Sequence, residues 1–361
     1  MKFFQTFFLL LLLAFTTQAQ NNYFTYNKLI QKAESHIMDS AYKKAIKAYK
    51  KVYQQYDKTF VRDDINAMVC ALIIKDYESA VFFDKKRIIK NTPLPELMTA
   101  DWQTYQQSSA YLAAKKELDS LQHYGEQLRK NSRLAFLYDS LATQDQVVRK
   151  QPNYINGKDT TILITDSLNL IASANLLKNQ GYADNILWGK SQPFDIILRH
   201  NTQYSKGTLL PLIYEEVKKG NYDIYQYCFH YDEWTRHNPT EKIEDREKKF
   251  THFLTNTHFT GVWAIVHNKL YRLKLSKTQE KIVNKNRKLL GFGTLQEAYQ
   301  KQIFSTQDKR FLFSNIIAAM RHGSPQGKLG DFFAKILTTH FELVPFNLVG
   351  RAFIQDRGLI P

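Results

Sequence analysis

The sequence predicts a mainly α-helical protein: a helical-hairpin repeat stack over residues 20–150, then a mostly helical second domain over residues 161–361 with one short β-hairpin. Three observations predict it. Apolar residues recur at three- and four-residue spacing through most of the chain, the period of a helix with one buried face. A hairpin-sized pattern returns after 35 residues, carrying Ala45 onto Ala80. Alternation of period two, the mark of a half-buried strand, is confined to residues 262–275. A composition of 43% hydrophobic and 14% aromatic residues is enough for an ordinary core.

The N-terminus reads as an address rather than as structure. Lys2 precedes an apolar run from Phe7 to Phe15, and Thr17 and Ala19 suit the −3 and −1 sites of a signal peptidase. The run is shorter than the ~20 apolar residues that span a bilayer, so a cleaved signal over residues 1–19 is expected rather than a membrane anchor. No other segment approaches that length, and no cysteine follows the run to carry a lipid. The expectation is an exported protein, in the periplasm or at the cell surface, with no transmembrane segment after cleavage near Ala19.

Residues 26–39 place Leu29, Ile30, Ala33 and Ile37 on one helical face. After a turn at Asp39 and Ser40, "AYKKAIKAYKKVYQQYD" (residues 41–57) puts Tyr42, Ala45, Tyr49, Val52 and Tyr56 on one side and its lysines on the other. "DYESAVFFDKKRIIKNTP" repeats the arrangement with Tyr77 and Ala80, closing at Pro93. This period, with a small alanine at the helix crossing and an aromatic three residues before it, resembles the tetratricopeptide repeat. The resemblance rests on Ala33, Tyr42, Ala45 and Tyr49 in the first unit, and on Tyr77, Ala80 and Pro93 in the second. The second unit departs from the pattern at Asp84 and at Met68. It implies a stack of antiparallel helix pairs whose superhelix holds a protein or peptide in its groove. The lysines of residues 43–51 are then the solvated face of a scaffold helix rather than a strip that grips a ligand.

Two repeats need about one more for stability. Residues 100–131 read as a third hairpin broken near Lys115 and Lys116, with Leu118, Leu121 and Leu128 inward, and residues 132–150 as a closing helix. Residues 151–160, with Pro152, Gly157 and two asparagines, read as a linker. Helices are expected at 166–179, 194–199, 209–219 with Gly220 as the cap, and 222–234. The strand pattern of residues 262–275 turns at His267 and Asn268. Two further helices are expected after Gly291, then a loop at "RHGSPQG" and an apolar tail.

Lys and Arg number 50 against 34 acidic side chains, a net charge of +16. Such a balance favours anionic partners, but an exported protein does not ordinarily meet nucleic acid. Anionic envelope glycan, lipid headgroups or an acidic protein are the expected counterparts, and colloidal solubility is the simplest reading. Residues 269–289 concentrate eight basic residues against Glu280 alone. Arg272, Lys274 and Lys277 at one hairpin edge are candidates for polyanion binding, although charged edges also guard against aggregation. Cys70 and Cys228, each among apolar neighbours, are too few for a disulfide framework. Buried thiols are expected, with a bridge as the alternative.

Signature motifs are absent: there is no HExxH, GxSxG or cysteine quartet. "GSPQGKL" is one residue short of a phosphate loop, and "RHG" at Arg321–Gly323 lies too near the C-terminus for a histidine phosphatase. The chemistry-bearing cluster spans residues 195–258, with half of the chain's 10 histidines beside Asp195, Asp223, Asp232 and Glu233. His200, His230 and Asp232 are the candidate catalytic residues. With His237, which follows Glu233 by one helical turn, they are also the candidate Zn²⁺ ligands. No other cofactor is expected. Histidines among aromatics are more often core side chains, and the motifs demand no reaction.

The order "WG…LRHN…LIYEEVKKGN…YDEW…LGFGT" resembles a bacterial exported domain family of unknown function, often fused to helical repeats. Gly189, His200, Asp232, Gly293 and Thr294 are the matching positions, over residues 160–300. The family implies no reaction. The leading expectation is a cell-envelope scaffold that binds another protein or peptide in the repeat groove. A hydrolase or metal-dependent enzyme at the His/Asp cluster and a glycan-binding protein at residues 269–289 are the alternatives.

Overall fold

The computed structural model describes residues 22–150, 160–182, 194–202, 208–237, 257–259, 261–266, 269–313, 317–321 and 341–343. Residues 1–19, read from the sequence as a signal, and the residues after Arg321 that carry the near-miss phosphate loop lie outside this set. The protein is mainly α-helical. Four helices open it: α1 (Tyr23–Met38), α2 (Tyr42–Gln55), α3 (Val61–Ile73) and α4 (Tyr77–Ile88). α1 packs on α2, α2 on α3 and α3 on α4, as adjacent antiparallel pairs do. The chain reverses through left-handed residues at Ser40 (φ 53°) and Lys75 (φ 56°), which stand at the period read from the sequence. Ala33, Ala45 and Ala80 are fully buried, so the helix backbones approach where a larger side chain would hold them apart.

Beyond these pairs the pattern departs from expectation. A short α5 (Thr99–Gln106) leads into α6 (Ser109–Asn131), a single 23-residue helix with no break near Lys116. Ser108 caps it by accepting from the Tyr111 amide. Leu118 is buried as expected, while Leu121 and Leu128 are only half-buried. Gly125 is where α6 meets α4, because a Cβ there would strike the Ile89 carbonyl. α7 (Arg133–Arg149) does not close the first stack. It packs against α8 (Thr160–Gln180) and α9 (Phe194–Thr202), and its Ala135 and Tyr138 join a second core. The intervening residues 151–159 lie outside the described set, and the position read as a linker does not separate two cores.

That second core is completed by α10 (Leu210–Lys218) and α11 (Ile224–His237), through Ile213, Val217, Tyr222 and Cys228. Gly220 follows α10 with φ 72°, the left-handed conformation that favours glycine. Cys70 belongs to the first core and Cys228 to the second. Both thiols are free and buried, with their pKa values pushed up by burial.

Strands β1 (Gly261–Val266) and β2 (Lys269–Leu273) form the expected antiparallel hairpin, with Trp263 opposite Arg272. The hairpin is not alone. β3 (Ile317–Arg321) lies parallel to β1 and β4 (Phe341–Leu343) antiparallel to β2, giving the order β3-β1-β2-β4. Residues 317–321, where the sequence reading has no strand, cover one edge of the hairpin, which on its own is marginal in water. Between the strands, α12 (Lys277–Leu289) and α13 (Leu295–Gln307) each begin with a capping box, Ser276 with Gln279 and Thr294 with Glu297. Lys277 therefore opens a helix and does not lie on a strand edge. α8 also corrects the reading that no second segment approaches spanning length: it is 21 residues long and passes by length and composition, with an 18-residue window of mean hydropathy 1.2.

The two halves meet along the inner face of α1 and α3. Asn27, Gln31 and Glu34 occupy one row of α1 and take partners from the C-terminal half. Asn27 donates to the Leu290 carbonyl at 3.2 Å, Gln31 to the Tyr225 hydroxyl at 2.6 Å, and Lys301 of α13 reaches Glu34 at 2.7 Å. On α3, Arg62 bonds Asp223 at 3.0 Å and stacks over the Tyr225 ring. Asn66 holds the Leu312 backbone by both its carbonyl and its amide, at 2.9 and 2.8 Å. Phe311 and Phe313 enter the first core beside this contact. A Cβ on Gly291 (φ 78°) would collide with the Phe24 carbonyl of α1. Asp63, buried at the same seam, has its carboxyl pushed up from 3.8 to about 7, chiefly by burial.

Glu34 and Lys301 are 0% and 3% exposed. Removing one partner of such a pair costs about 3–5 kcal/mol, whereas replacing both by apolar side chains is often near neutral. Lys301→Ala is therefore expected to lower the urea midpoint strongly, and Glu34→Leu with Lys301→Met to recover most of that loss. A double variant as unstable as Lys301→Ala would show that the loss comes from the missing ion pair itself and not from a buried carboxylate left without its partner.

Candidate functional site

The lysines of α2 line a groove. Its walls are Lys43, Lys44, Lys47, Lys50 and Lys51 from α2, with Lys32 and His36 from α1. Leu29, Ile46 and Ala48 form an aliphatic floor, and Asp76 and Ser79 close one end at the start of α4. The groove is open to solvent and has a volume of about 890 Å³. The helical period explains the placement: Ala45, Ile46, Tyr49, Val52 and Tyr53 are buried, which turns the lysines outward along one side of the first hairpin. Asp76 is the one carboxylate among the lining residues, and it is engaged in capping α4 by accepting from the Ser79 amide at 3.1 Å. Lys50 lies 5.9 Å from the centre of the Phe82 ring. The lining thus carries a concentrated positive charge above an apolar floor.

The inner face of the stack, where a groove for a peptide was expected, is occupied by the chain itself. The seam of Asn27, Gln31, Glu34, Arg62 and Asn66 engages residues 223–313. Sequence reading missed these five residues. Their signal was a polar row at four- and three-residue spacing beside an apolar one, which reads as a solvated edge until a distant partner covers it.

The candidate catalytic residues His200, His230 and Asp232 have separate surroundings. His200 on α9 faces Asp145 of α7, its Nδ1 at 2.8 and 3.0 Å from the two carboxylate oxygens. Asp145 also holds Arg149, which reaches Asp166 of α8 at 2.6 Å, so this cluster ties three helices together. Asp232, fully buried on α11, accepts from the amides of His258 and Phe259 at 2.9 and 3.1 Å and from Thr257 Oγ1 at 2.9 Å. It anchors the chain entering the sheet. The side chain of His237 lies outside the described set, as does Gly189. Thr294 caps α13, and the Gly293 carbonyl accepts from Arg287 at 2.7 Å. Among the described residues, no group of three or more His, Cys, Asp or Glu side chains is arranged to hold a metal ion.

His230 is the distinctive member. It is fully buried on α11 between Asp195 of α9, 3.8 Å from Nε2, and Glu233, 3.7 Å from Nδ1. Neither ring nitrogen has a partner at hydrogen-bond distance among the described residues. Asp195 is held in turn by the Tyr222 hydroxyl. Burial opposes a charge on the ring, but the two carboxylates outweigh it and raise the His230 pKa.

The basic segment is split by the fold. Arg272 on β2 pairs with Glu342 of β4 and with Gln296, and lies over the Tyr299 ring. Lys274 lines a smaller cavity of about 330 Å³ together with Glu280 and Glu342, so its charge is balanced. Lys277 stands in the first turn of α12.

No protein-family model matches the chain, no curated protein is similar to it, and no solved structure matches it.

A raised folded-state pKa makes charged His230 a source of stability below its ordinary value of about 6.5, and that contribution is lost as pH rises through the raised value. His230→Gln is expected to flatten the decline of the urea midpoint between neutral and alkaline pH. Parallel wild-type and variant curves over that window would refute the role of the two carboxylates. Asp63 produces its own decline at lower pH, up to about 7, and serves as the internal control.

Proposed function

We propose that the protein is an exported, non-enzymatic binding scaffold built on tetratricopeptide-like helix pairs, which takes an acidic segment of another envelope protein into the lysine groove of its first hairpin. The observation that carries this reading is the groove itself: seven basic or imidazole side chains converge over Leu29, Ile46 and Ala48 with Asp76 as the one acid. Charge of one sign in a concave surface attracts an opposite partner and speeds encounter. The aliphatic floor favours a polypeptide, which brings apolar side chains along with its carboxylates, over a purely anionic glycan. The binding face is therefore the outer face of the hairpin, since the inner one serves the fold.

The hydrolase reading ranks below it. His200 is spent on Asp145, Asp232 on backbone amides, and His230 lies beyond the reach of solvent. A glycan site at Arg272, Lys274 and Lys277 ranks below as well, because Glu342 and Glu280 stand among those cations.

The test is fluorescence anisotropy with a labelled peptide of alternating glutamate and leucine. Lys43→Glu, Lys47→Glu and Lys51→Glu together are expected to weaken binding by about tenfold or more, ~1.4 kcal/mol, and added salt to weaken wild-type binding steeply. The same number of reversals at Lys116, Lys130 and Lys288, which are exposed elsewhere, should change it little. Equal losses in both triple variants would reduce the groove to bulk charge. Wild-type affinity for a sulfated glycan exceeding that for the peptide would move the proposal to glycan binding.

A further inference from the structure

α12 turns its charge and its uncovered apolar surface the same way. The side it buries is narrow, Val283 and Arg287, with Leu290 just beyond its end. Arg287 is spent inside, donating to the Gly293 and Phe259 carbonyls at 2.7 and 2.8 Å. Lys277, Lys281, Lys285 and Lys288 lie on the other side at intervals of four, four and three residues, and all are exposed. At about 100° per residue they form one stripe along the helix. Ile282 and Leu289, seven residues apart and 49% and 66% exposed, run along one edge of that stripe.

Two features separate this stripe from an ordinary solvated face. Exposed lysines on other helices are offset by acids: Lys85 pairs with Glu117, Lys115 with Asp119 and Lys218 with Glu215. None of the four α12 lysines has a carboxylate partner among the described residues. Lysines four residues apart repel one another, and Glu280, the one acid of the helix, falls on the side of the stripe away from Ile282 and Leu289. The second feature is the adjacency of that uncompensated charge to bulky apolar side chains.

Together they select the occupant. An acidic polypeptide is held best in a concavity such as the lysine groove, whereas the outer side of a single helix is convex. A glycan offers anions but nothing apolar to Ile282 and Leu289. An anionic bilayer offers both across a plane, phosphates at its surface and acyl carbon beneath. Clusters of about four to eight basic residues on an amphipathic helix bind such a surface. The long lysine stems keep their ammonium groups at the phosphates while the neighbouring apolar side chains go deeper.

We propose that the outer face of α12 seats this protein on an anionic phospholipid bilayer, with Lys277, Lys281, Lys285 and Lys288 on the phosphates and Ile282 and Leu289 among the acyl chains. The inference is independent of the lysine groove, which lies on the first hairpin. Co-sedimentation of the chain from Gln20 onward with vesicles tests it, comparing phosphatidylglycerol mixed into phosphatidylcholine with phosphatidylcholine alone. The expected result is binding to the anionic vesicles only. Lys281→Glu, Lys285→Glu and Lys288→Glu together should weaken it by about a hundredfold or more, at roughly fivefold per lysine lost from the surface. Ile282→Ser with Leu289→Ser should weaken it by about tenfold, and the groove reversals Lys43→Glu, Lys47→Glu and Lys51→Glu by less than either. Leu289→Cys carrying an environment-sensitive dye should shift its emission to shorter wavelength on the vesicles; the native cysteines are buried and stay unlabelled. All the substituted positions on α12 are exposed, so helicity by circular dichroism is expected to be unchanged. A wild-type chain that ignores the anionic vesicles overturns the proposal, as does binding that survives the three reversals on α12. Loss on charge reversal with no loss on Ile282→Ser and Leu289→Ser overturns it in favour of a soluble polyanion, with a sulfated glycan as the probe.

Discussion

The buried polar row on α1 and α3 is the constraint on which the rest of the structure depends. Glu34, Asn27 and Asn66 would each carry a desolvation penalty if sealed in without partners, and a carboxylate most of all. Lys301, the Leu290 carbonyl and the Leu312 backbone remove that penalty, from positions 246 to 267 residues away in sequence. Folding of the first helix pairs and docking of the C-terminal half are thereby coupled. The apolar contribution at the same seam, Phe311 and Phe313 in the first core, adds adhesion. The polar pairs set the register, because they are satisfied in one alignment only.

That coupling decides which surface is left for a partner. A stack of helix pairs has an inner and an outer face, and here the inner one is consumed by the chain's own residues. What remains is the outer side of the first hairpin, where the helical period gathers the lysines above Leu29, Ile46 and Ala48. Charge segregation of this kind follows from α2 alone. Its conversion into a concave site requires α1 alongside and the start of α4 at one end, which is a property of the packed pair.

The histidine region shows why composition overstates chemistry. His200 and Asp232 stand 32 residues apart and look like partners in a list of polar residues, yet one ties α9 to α7 and the other holds backbone amides after α11. His230 stands instead between two carboxylates, Asp195 and Glu233. The groove lysines, by contrast, were visible in the sequence but were read there as a solvated face. Periodicity reports which residues point away from the core; whether they point into a concavity depends on the neighbouring helix.

The amino-acid sequence by itself determined the helix pairs, their 35-residue period, the buried alanines at the crossings and the outward lysines. It also determined the β1–β2 hairpin. Each of these follows from side-chain spacing and caps within a few turns of one element, where the relevant neighbours are neighbours in sequence. Tertiary structure alone decided that α7 belongs to the second core, that residues 317–321 form a strand beside β1, and that the inner polar row is filled from α13 and its flanks. The physical reason is the same in every case. A polar or short apolar segment has no preferred surroundings of its own until a distant element supplies the hydrogen bonds or the second face that it lacks.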